Sequence, residues 1–191
     1  MAIATIRLNH TPGACSLFFA SVMEKLRQVK RVVKADIDAF KKDSTPGKIS
    51  ILIADDDEDD REFFTEVVRE IDPVIEVVVA ASGEKLMRTL TVPDAPLPDI
   101  LFLDLNMPGK DGKQCLHEIR SHSGLKNIPV VIYSTSALLQ DIKDTHFQGA
   151  NLYLRKPDSY NSAITLIKKV FSMDLEKMPG QQDIKSFVLL S

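Results

Sequence analysis

The sequence predicts an α/β fold in which helices cover both faces of a doubly wound, five-stranded parallel sheet. Three observations predict it. From Ile49 onward, strand-like and helix-like segments alternate along the chain. The run Ile100–Leu103 is apolar throughout, which is typical of a strand buried on both faces. This run ends in Asp104 and is followed by a turn with Pro108 and Gly109, so an acid lies at the edge where open α/β sheets bind ligands.

The individual elements follow from the spacing of apolar residues. Strand candidates are short apolar runs: Ile49–Ala54, Val74–Ala80, Ile100–Leu103, Val130–Tyr133 and Leu152–Leu154. Helix candidates carry apolar residues three or four positions apart, in five sets: Phe64, Val67, Val68 and Ile71; Leu86 and Leu90; Cys115, Leu116 and Ile119; Leu138, Leu139 and Ile142; Ile164, Ile167, Val170 and Phe171. Pro73 separates the first helix from the second strand, Ser82 can cap the second helix, and Gly149 is placed to end the fourth.

Charge divides the chain into two parts. Residues 1–48 carry nine Lys or Arg against four Asp or Glu, a net of +5, and residues 49–191 carry 15 against 23, a net of −8. Between them, residues 43–47 have the composition of a linker. Cys15 and Cys115 form no CxxC pair, so we expect a reducing, cytoplasmic location, and no apolar stretch approaches the roughly 18 residues of a membrane span.

Residues 1–48 are predicted to form a basic amphipathic helical extension, or a leader, followed by the linker. Within residues 16–42, one predicted helix face is apolar: Val22, Leu26, Val29, Val33, Ile37 and Phe40. Its other face carries basic residues: Lys25, Lys30, Arg31, Lys34 and Lys41. Such a helix can pack on its own domain, pair with a second copy of the chain or lie on an anionic membrane surface. Packing on its own domain or its symmetry mate is the expectation.

Polar side chains follow four of the predicted strands. Asp55 and Asp56 follow the first strand, Asp104 the third, Ser134 the fourth and Lys156 the fifth. In a parallel sheet these strand ends share one edge, so an acid pair, a solitary acid, a hydroxyl and an ammonium are predicted to converge there. Because clustered carboxylates cannot all be ionised cheaply, the usual remedy is a hard divalent cation with oxygen ligands.

Two other sites fit parts of this pattern. The acids at ligand positions 1, 3, 5 and 12 of an EF-hand calcium loop would be Asp55, Asp57, Asp59 and Glu66. That loop needs a glycine where Asp60 stands, and no helix is predicted before it. A phosphatase of the haloacid dehalogenase class would need a second acid at Asn106. Both alternatives therefore lack an essential residue.

Four motifs together resemble the receiver domain of two-component response regulators. In chain order they are Ile-Leu-Ile-Ala-Asp-Asp-Asp at 51–57, Leu-Phe-Leu-Asp-Leu-Asn-Met-Pro-Gly-Lys-Asp-Gly at 101–112, Pro-Val-Val-Ile-Tyr-Ser at 129–134 and Tyr-Leu-Arg-Lys-Pro at 153–157. The resemblance covers residues 49–172 and implies the flavodoxin-like strand order 2-1-3-4-5. Residues 173–191 form a tail too short for an output domain, so a stand-alone response regulator is expected.

The resemblance also implies chemical roles. Asp104 would be the phosphoacceptor, taking a phosphoryl group from a histidine kinase or a histidine phosphotransfer protein. The chain would thus be a signalling protein, whose only catalysis is its own phosphotransfer and autodephosphorylation. Ser134 and Lys156 would bind the phosphoryl oxygens. The implied Mg²⁺ ligands are Asp55, Asp56, Asp104 and the backbone carbonyl of Asn106.

A conformational switch is implied as well. Ser134 and Tyr153 would move on phosphorylation and alter the face of the fourth helix, fifth strand and fifth helix, which would bind an unknown downstream protein. The Lys156–Pro157 bond resembles a cis peptide of the family. No nucleic-acid partner is expected, and a homodimer is a candidate assembly. The alternative hypotheses are an unphosphorylated scaffold recruited through the N-terminal helix, and membrane or nucleic-acid attachment through residues 16–42.

Overall fold

The computed structural model describes residues 49–175 and 183–189. Its strands are β1 Ser50–Ala54, β2 Glu76–Ala80, β3 Ile100–Leu103, β4 Val130–Ser134, β5 Leu152–Arg155 and β6 Val188–Leu189. Its helices are α1 Glu58–Ile71, α2 Gly83–Leu90, α3 Gly112–Ser121, α4 Leu139–Phe147, α5 Tyr160–Phe171 and α6 Ile184–Phe187. The extension predicted over residues 1–48 lies outside the described residues. No helix in the described ranges combines the length and apolar character that a membrane span needs.

All six strands are parallel and form one sheet in the order β2-β1-β3-β4-β5-β6. The predicted fold class and the order 2-1-3-4-5 are confirmed, and one strand is added. The added strand, β6, pairs with β5 through Tyr153 opposite Val188 and Leu154 opposite Leu189. Two residues are too short a run to show a strand periodicity, which is why the sequence predicts only five strands.

Side chains of β3 alternate between two hydrophobic cores, one on each face of the sheet. Ile100 and Phe102 join the core built with α1 and α5, where Phe64 lies 4.7 Å from Phe102 between ring centroids. Leu101 and Leu103 join the core built with α2 and α3. All four strand residues are at most 1% exposed. Because full burial of such a side chain contributes roughly 1.5–3 kcal/mol, β3 is held firmly at the centre of the domain.

Side-chain caps fix the starts of α1 and α2. Asp57 Oδ1 accepts hydrogen bonds from the backbone N–H groups of Asp59 at 2.9 Å and Asp60 at 3.3 Å. Ser82 caps α2 as predicted, since its Oγ accepts from the Lys85 N–H at 3.2 Å. Caps of this kind satisfy N–H groups that have no partner within the helix. The α1 cap also sets which residues of the acidic run face the sheet edge.

Helix α4 lies where it was predicted, but its inward face was predicted wrongly. Two residues of the expected apolar stripe, Leu138 and Leu139, are 67% and 60% exposed. Within α4 the buried residue is Thr145, and Ile142 only packs against the core at its margin. As predicted, the helix ends just before Gly149, whose positive φ of 90° suits a residue without a side chain.

The C-terminal segment packs on the β5 edge of the sheet. Phe187, the last residue of α6, is fully buried. Its ring lies 6.2 Å from that of Tyr153 and 4.8 Å from that of His146, in edge-on arrangements that aromatic pairs favour. The described part of the tail therefore covers β5 and the end of α4.

Candidate functional site at the carboxyl edge of the sheet

Backbone pairing continues past the ends of β1 and β3 and fixes the two acids that follow them. The Asp55 N–H donates to the Ala80 carbonyl at 3.0 Å, and the Asp104 N–H donates to the Ala54 carbonyl at 2.9 Å. The Asp55 carbonyl accepts from the guanidinium of Arg61 at 2.8 Å. Asp55 is 1% exposed and Asp104 is 5% exposed, so both carboxylates are withdrawn from bulk water. Such burial demands a compensating charge.

Three acids come close together at this edge. Asp55, Asp56 and Asp104 each place a carboxylate oxygen within 4.8 Å of those of the other two. Asp104 Oδ1 is buried and accepts no hydrogen bond from the described residues. Burial raises the pKa of Asp55 above its ordinary value, and Lys156 offsets only part of that rise. Three carboxylates this close together, with one buried oxygen that accepts no hydrogen bond within the described part of the chain, suit the coordination of a hard divalent cation.

Lys156 enters this cluster from the end of β5. Its Nζ lies 2.7 Å from Asp55 Oδ2, 2.6 Å from Asp60 Oδ2 and 4.0 Å from Asp104 Oδ2. The contact with Asp55 is an ion pair, because Asp55 Oδ2 accepts no hydrogen bond of good geometry. Burial favours a lower pKa for Lys156, but the contacts with Asp55 and Asp60 outweigh it and raise the pKa. The ammonium is therefore charged at neutral pH.

The predicted cis peptide at Pro157 was wrong. The described residues contain no cis peptide bond, so the Lys156–Pro157 bond is trans. The trans isomer is favoured for an X–Pro bond by about 0.5–1 kcal/mol. The Lys156 side chain reaches Asp55 and Asp60 from this backbone, so the observed contacts do not require the cis form.

Ser134 lies at the end of β4 and is fully buried. Its Oγ accepts from the side-chain amide of Asn106 at 3.5 Å and from the Ser136 N–H at 3.4 Å. The Asn106 backbone N–H donates to Asp104 Oδ2 at 3.3 Å. Asn106 thus links the hydroxyl to the central acid. The sequence predicted a role for the Asn106 carbonyl alone and missed this side-chain contact.

Tyr153 is tied to the loop between β4 and α4. It is 1% exposed, and its hydroxyl donates to the Ser136 carbonyl at 2.9 Å. The Ser136 hydroxyl in turn donates to Asp141 and accepts from the Leu138 N–H at 3.3 Å. Asp141 is also 2.9 Å from Lys113 Nζ. The loop that follows Ser134 is therefore connected both to β5 and to α3.

Sequence reasoning missed the structural roles of two acids in residues 55–60. Asp57 was given no role, yet it caps α1. Asp60 was assigned no contact with another side chain, yet it contacts Lys156. The signal for the cap was available, because an acid just before a helical pattern favours the N-cap position. The contact between Asp60 and Lys156 joins residues 96 positions apart and depends on the folded sheet.

Comparisons with known proteins agree with this architecture. The model of the response regulator receiver domain family matches residues 51–168. Over 138 residues the chain is 30% identical to the response regulator Rcp1 of Synechocystis sp., an alignment that covers 70% of this chain and 93% of that protein. Among solved structures, the phosphorylated cyanobacterial phytochrome response regulator RcpA is 31% identical with a TM-score of 0.61, covering 65% of this chain and 91% of that chain.

The Mn²⁺-bound form of Rcp1 is similar too, at 29% identity and a TM-score of 0.60, covering 68% of this chain and 96% of that one. The family match, the two structural likenesses and the parallel sheet with its acidic carboxyl edge agree with the resemblance read from the four motifs. This chain belongs to the response regulator receiver domain family.

Proposed function

We propose that the chain is a stand-alone response regulator in which Asp104 accepts a phosphoryl group from the phosphohistidine of a histidine kinase or phosphotransfer protein. The observation that carries the proposal is the position of the Asp104 carboxylate. It is buried, its Oδ1 accepts no hydrogen bond from the described residues, and its Oδ2 lies 4.0 Å from the Lys156 ammonium. A nucleophilic oxygen beside a fixed positive charge suits phosphoryl transfer.

The chemistry needs little from the protein beyond position and charge. A carboxylate oxygen of Asp104 attacks phosphorus in line, a P–O bond forms, and the P–N bond of the donor breaks with its electron pair returning to the imidazole. Lys156 would contact one phosphoryl oxygen, and the Ser134 hydroxyl would donate to another. Both side chains are already held near this edge by Asp55 and Asn106, respectively.

A Mg²⁺ ion would be held by carboxylates of Asp55, Asp56 and Asp104 and by the backbone carbonyl of Asn106. When bound, it would neutralise charge on the phosphoryl oxygens and on the clustered acids. The unpartnered Asp104 Oδ1 and the spacing of the three acids support this assignment. The solved forms of two similar proteins support it as well, since Rcp1 was crystallised with Mn²⁺ and RcpA in a phosphorylated state.

The proposed output is a change in the face formed by α4, β5 and α5. Phosphorylation would draw Ser134 toward Asp104, and the loop that contains Ser136 would follow, because the Ser136 N–H bonds to Ser134 Oγ. Tyr153 would then lose or shift its hydrogen bond to the Ser136 carbonyl. The altered face, which includes residues 184–189 packed on β5 and on the end of α4, would bind a downstream protein or a second copy of the chain. Cys115 is a free, buried thiol, which is compatible with a cytoplasmic location.

The test is a phosphorylation assay with acetyl phosphate and Mg²⁺, followed by intact-protein mass spectrometry. We expect wild type to gain the mass of one phosphoryl group and Asp104→Asn to gain none. A matched control is Asp94→Asn, because Asp94 is an exposed acid in the loop before β3 and its positive φ of 59° is tolerated by asparagine. This control should be labelled like wild type. An Asp104→Asn variant that still gains the mass would contradict the proposal. A wild type that is never labelled would also contradict it and would favour the alternative of an unphosphorylated scaffold.

A further inference from the structure

Asp60 is an acid that contacts the proposed reaction site from outside the three-acid cluster. Its Oδ2 accepts a hydrogen bond from Lys156 Nζ at 2.6 Å, whereas the same nitrogen lies 4.0 Å from Asp104 Oδ2. Asp55 provides the other close contact, at 2.7 Å. The ammonium is therefore paired most closely with Asp55 and Asp60, and it lies farther from the carboxylate proposed to accept the phosphoryl group.

The start of α1 places Asp60 where it can make this contact. Asp60 lies in the first turn of the helix, and its backbone N–H donates to the cap residue Asp57. The neighbouring Arg61 bonds to the Asp55 carbonyl, which ties the same turn to the end of β1. The Asp60 side chain thus projects from backbone that is fixed at two points. On the Asp60 side, the contact with Lys156 is therefore made from a helix.

Asp60 differs from the other acids around Lys156 in two respects. It is not one of the three acids whose oxygens lie within 4.8 Å of one another, so its charge can be removed without changing the proposed metal ligands. Its side chain is also 42% exposed, compared with 1% for Asp55 and 11% for Lys156. Water can therefore replace Asp60 as a partner of the ammonium far more easily than it can replace Asp55.

From these contacts we propose that Asp60 is a positioning residue that restrains the Lys156 ammonium in the unphosphorylated protein. A phosphoryl group on Asp104 would bring new oxygens near the Lys156 ammonium, and to bond to one of them the ammonium would have to give up at least part of its pairing with Asp60. Asp60 thereby opposes phosphorylation of its own domain. The inference rests on the proposed role of Asp104 as phosphoacceptor.

The variant that tests the restraint is Asp60→Asn, which keeps the shape of the side chain and removes its charge. Loss of a partly exposed ion pair changes an equilibrium by up to about five-fold, so we expect phosphorylation by acetyl phosphate to be about two- to five-fold faster. The matched control is Asp59→Asn, which removes an equal charge from the adjacent, exposed residue of the same helical turn. The control should stay close to the wild-type rate.

A double-mutant cycle separates action through Lys156 from a general change in charge. In a Lys156→Gln background, Asp60→Asn should leave the residual phosphorylation rate unchanged, because the restrained group is gone. Asp60→Glu keeps the negative charge, so its phosphorylation rate should stay close to that of wild type. Affinity for the phosphoryl analogue beryllofluoride, measured by NMR titration, gives a readout that a purely structural role would not move. It should increase about two- to five-fold in Asp60→Asn.

The outcomes distinguish this inference from the proposed function. If wild type is not labelled at all, or if Asp104→Asn is labelled, the assignment of the phosphoacceptor fails. If wild type is labelled at Asp104 but Asp60→Asn reacts at the wild-type rate, more slowly, or no faster than Asp59→Asn, then the restraint is wrong and the phosphoacceptor stands. Equal effects of Asp60→Asn with and without Lys156 would also overturn the restraint.

Discussion

Gly112 lies against the backbone of Asp104 so closely that a Cβ atom on it would be 2.1 Å from the Asp104 carbonyl oxygen. This contact brings the start of α3 against the end of β3. The atom in the way belongs to the backbone, so it cannot move aside as a flexible side chain could. The position of Asp104 is therefore coupled to a residue without a side chain at 112.

We expect Gly112→Ala to displace the end of β3 and to lower the free energy of unfolding by about 1–3 kcal/mol, the usual cost of overpacking. Phosphorylation at Asp104 should fall with it, because the acceptor oxygen moves relative to Lys156. The control is Gly124→Ala, whose Cβ would be in ordinary contact, 3.5 Å from the His122 ring. Urea unfolding and labelling with acetyl phosphate measure both effects. Equal stability of the two variants would contradict the coupling.

Cys115 provides a test of pH dependence away from the acidic cluster. Burial raises the pKa of its thiol from 9.0 to about 12. Above pH 9 the unfolded chain loses the thiol proton while the folded chain keeps it, so this contribution to stability is lost as pH rises from about 9 to about 12. At pH 10 the loss should be about 1 kcal/mol, and Cys115→Ala should lack it. Urea unfolding at pH 7 and pH 10 in both proteins gives the comparison, and equal losses would contradict the burial effect.

The hydroxyl of Tyr153 should stabilise the loop after β4. Tyr153→Phe removes its bond to the Ser136 carbonyl and should cost about 1 kcal/mol of unfolding free energy. Amide hydrogen exchange in residues 135–138 should become faster. The control, Tyr160→Phe, removes a hydroxyl from a ring that is 39% exposed on the surface of α5. If residues 135–138 exchange at the same rate in both variants, the proposed link between Tyr153 and this loop is wrong.

Substitution of Phe187 tests whether the C-terminal segment is part of the folded domain. Its ring is fully buried against Tyr153 and His146, so Phe187→Ala should lower the free energy of unfolding by about 3 kcal/mol. Phe147→Ala is the matched control, because that ring is 91% exposed. The control should change stability by no more than about 0.5 kcal/mol. Equal values for the two variants would mean that residues 183–189 do not pack stably on β5.

Sequence patterns were sufficient for the sheet because parallel strands buried on both faces leave long apolar runs. Ile100–Leu103 was predicted with its observed bounds for that reason. The second strand begins two residues later than predicted, at Glu76, because an edge strand is only partly buried and its start carries little periodicity. Helix α4 was found, but apolar spacing could not reveal that Leu138 and Leu139 lie on the surface.

The residues of the candidate site also include some that the sequence could predict and some that it could not. Residues that directly follow strands, such as Asp55, Asp104 and Lys156, could be assigned to one edge because strand direction alone brings them together. Asp60 could not, because its role depends on the rotation of α1 about its axis and on the path of the Lys156 side chain. The geometry of the Lys156–Pro157 bond was also beyond the sequence, since the isomer is decided by tertiary contacts.

Phosphorylation of Asp104 itself can be shown by chemical trapping. The protein is first phosphorylated with acetyl phosphate and Mg²⁺ and is then treated with borohydride, which reduces an aspartyl phosphate to homoserine. Tandem mass spectrometry locates the reduced residue. We expect homoserine at position 104 and unmodified aspartate at positions 55, 56 and 60. Homoserine at one of those three positions, or unmodified aspartate at position 104 in phosphorylated protein, would contradict this expectation.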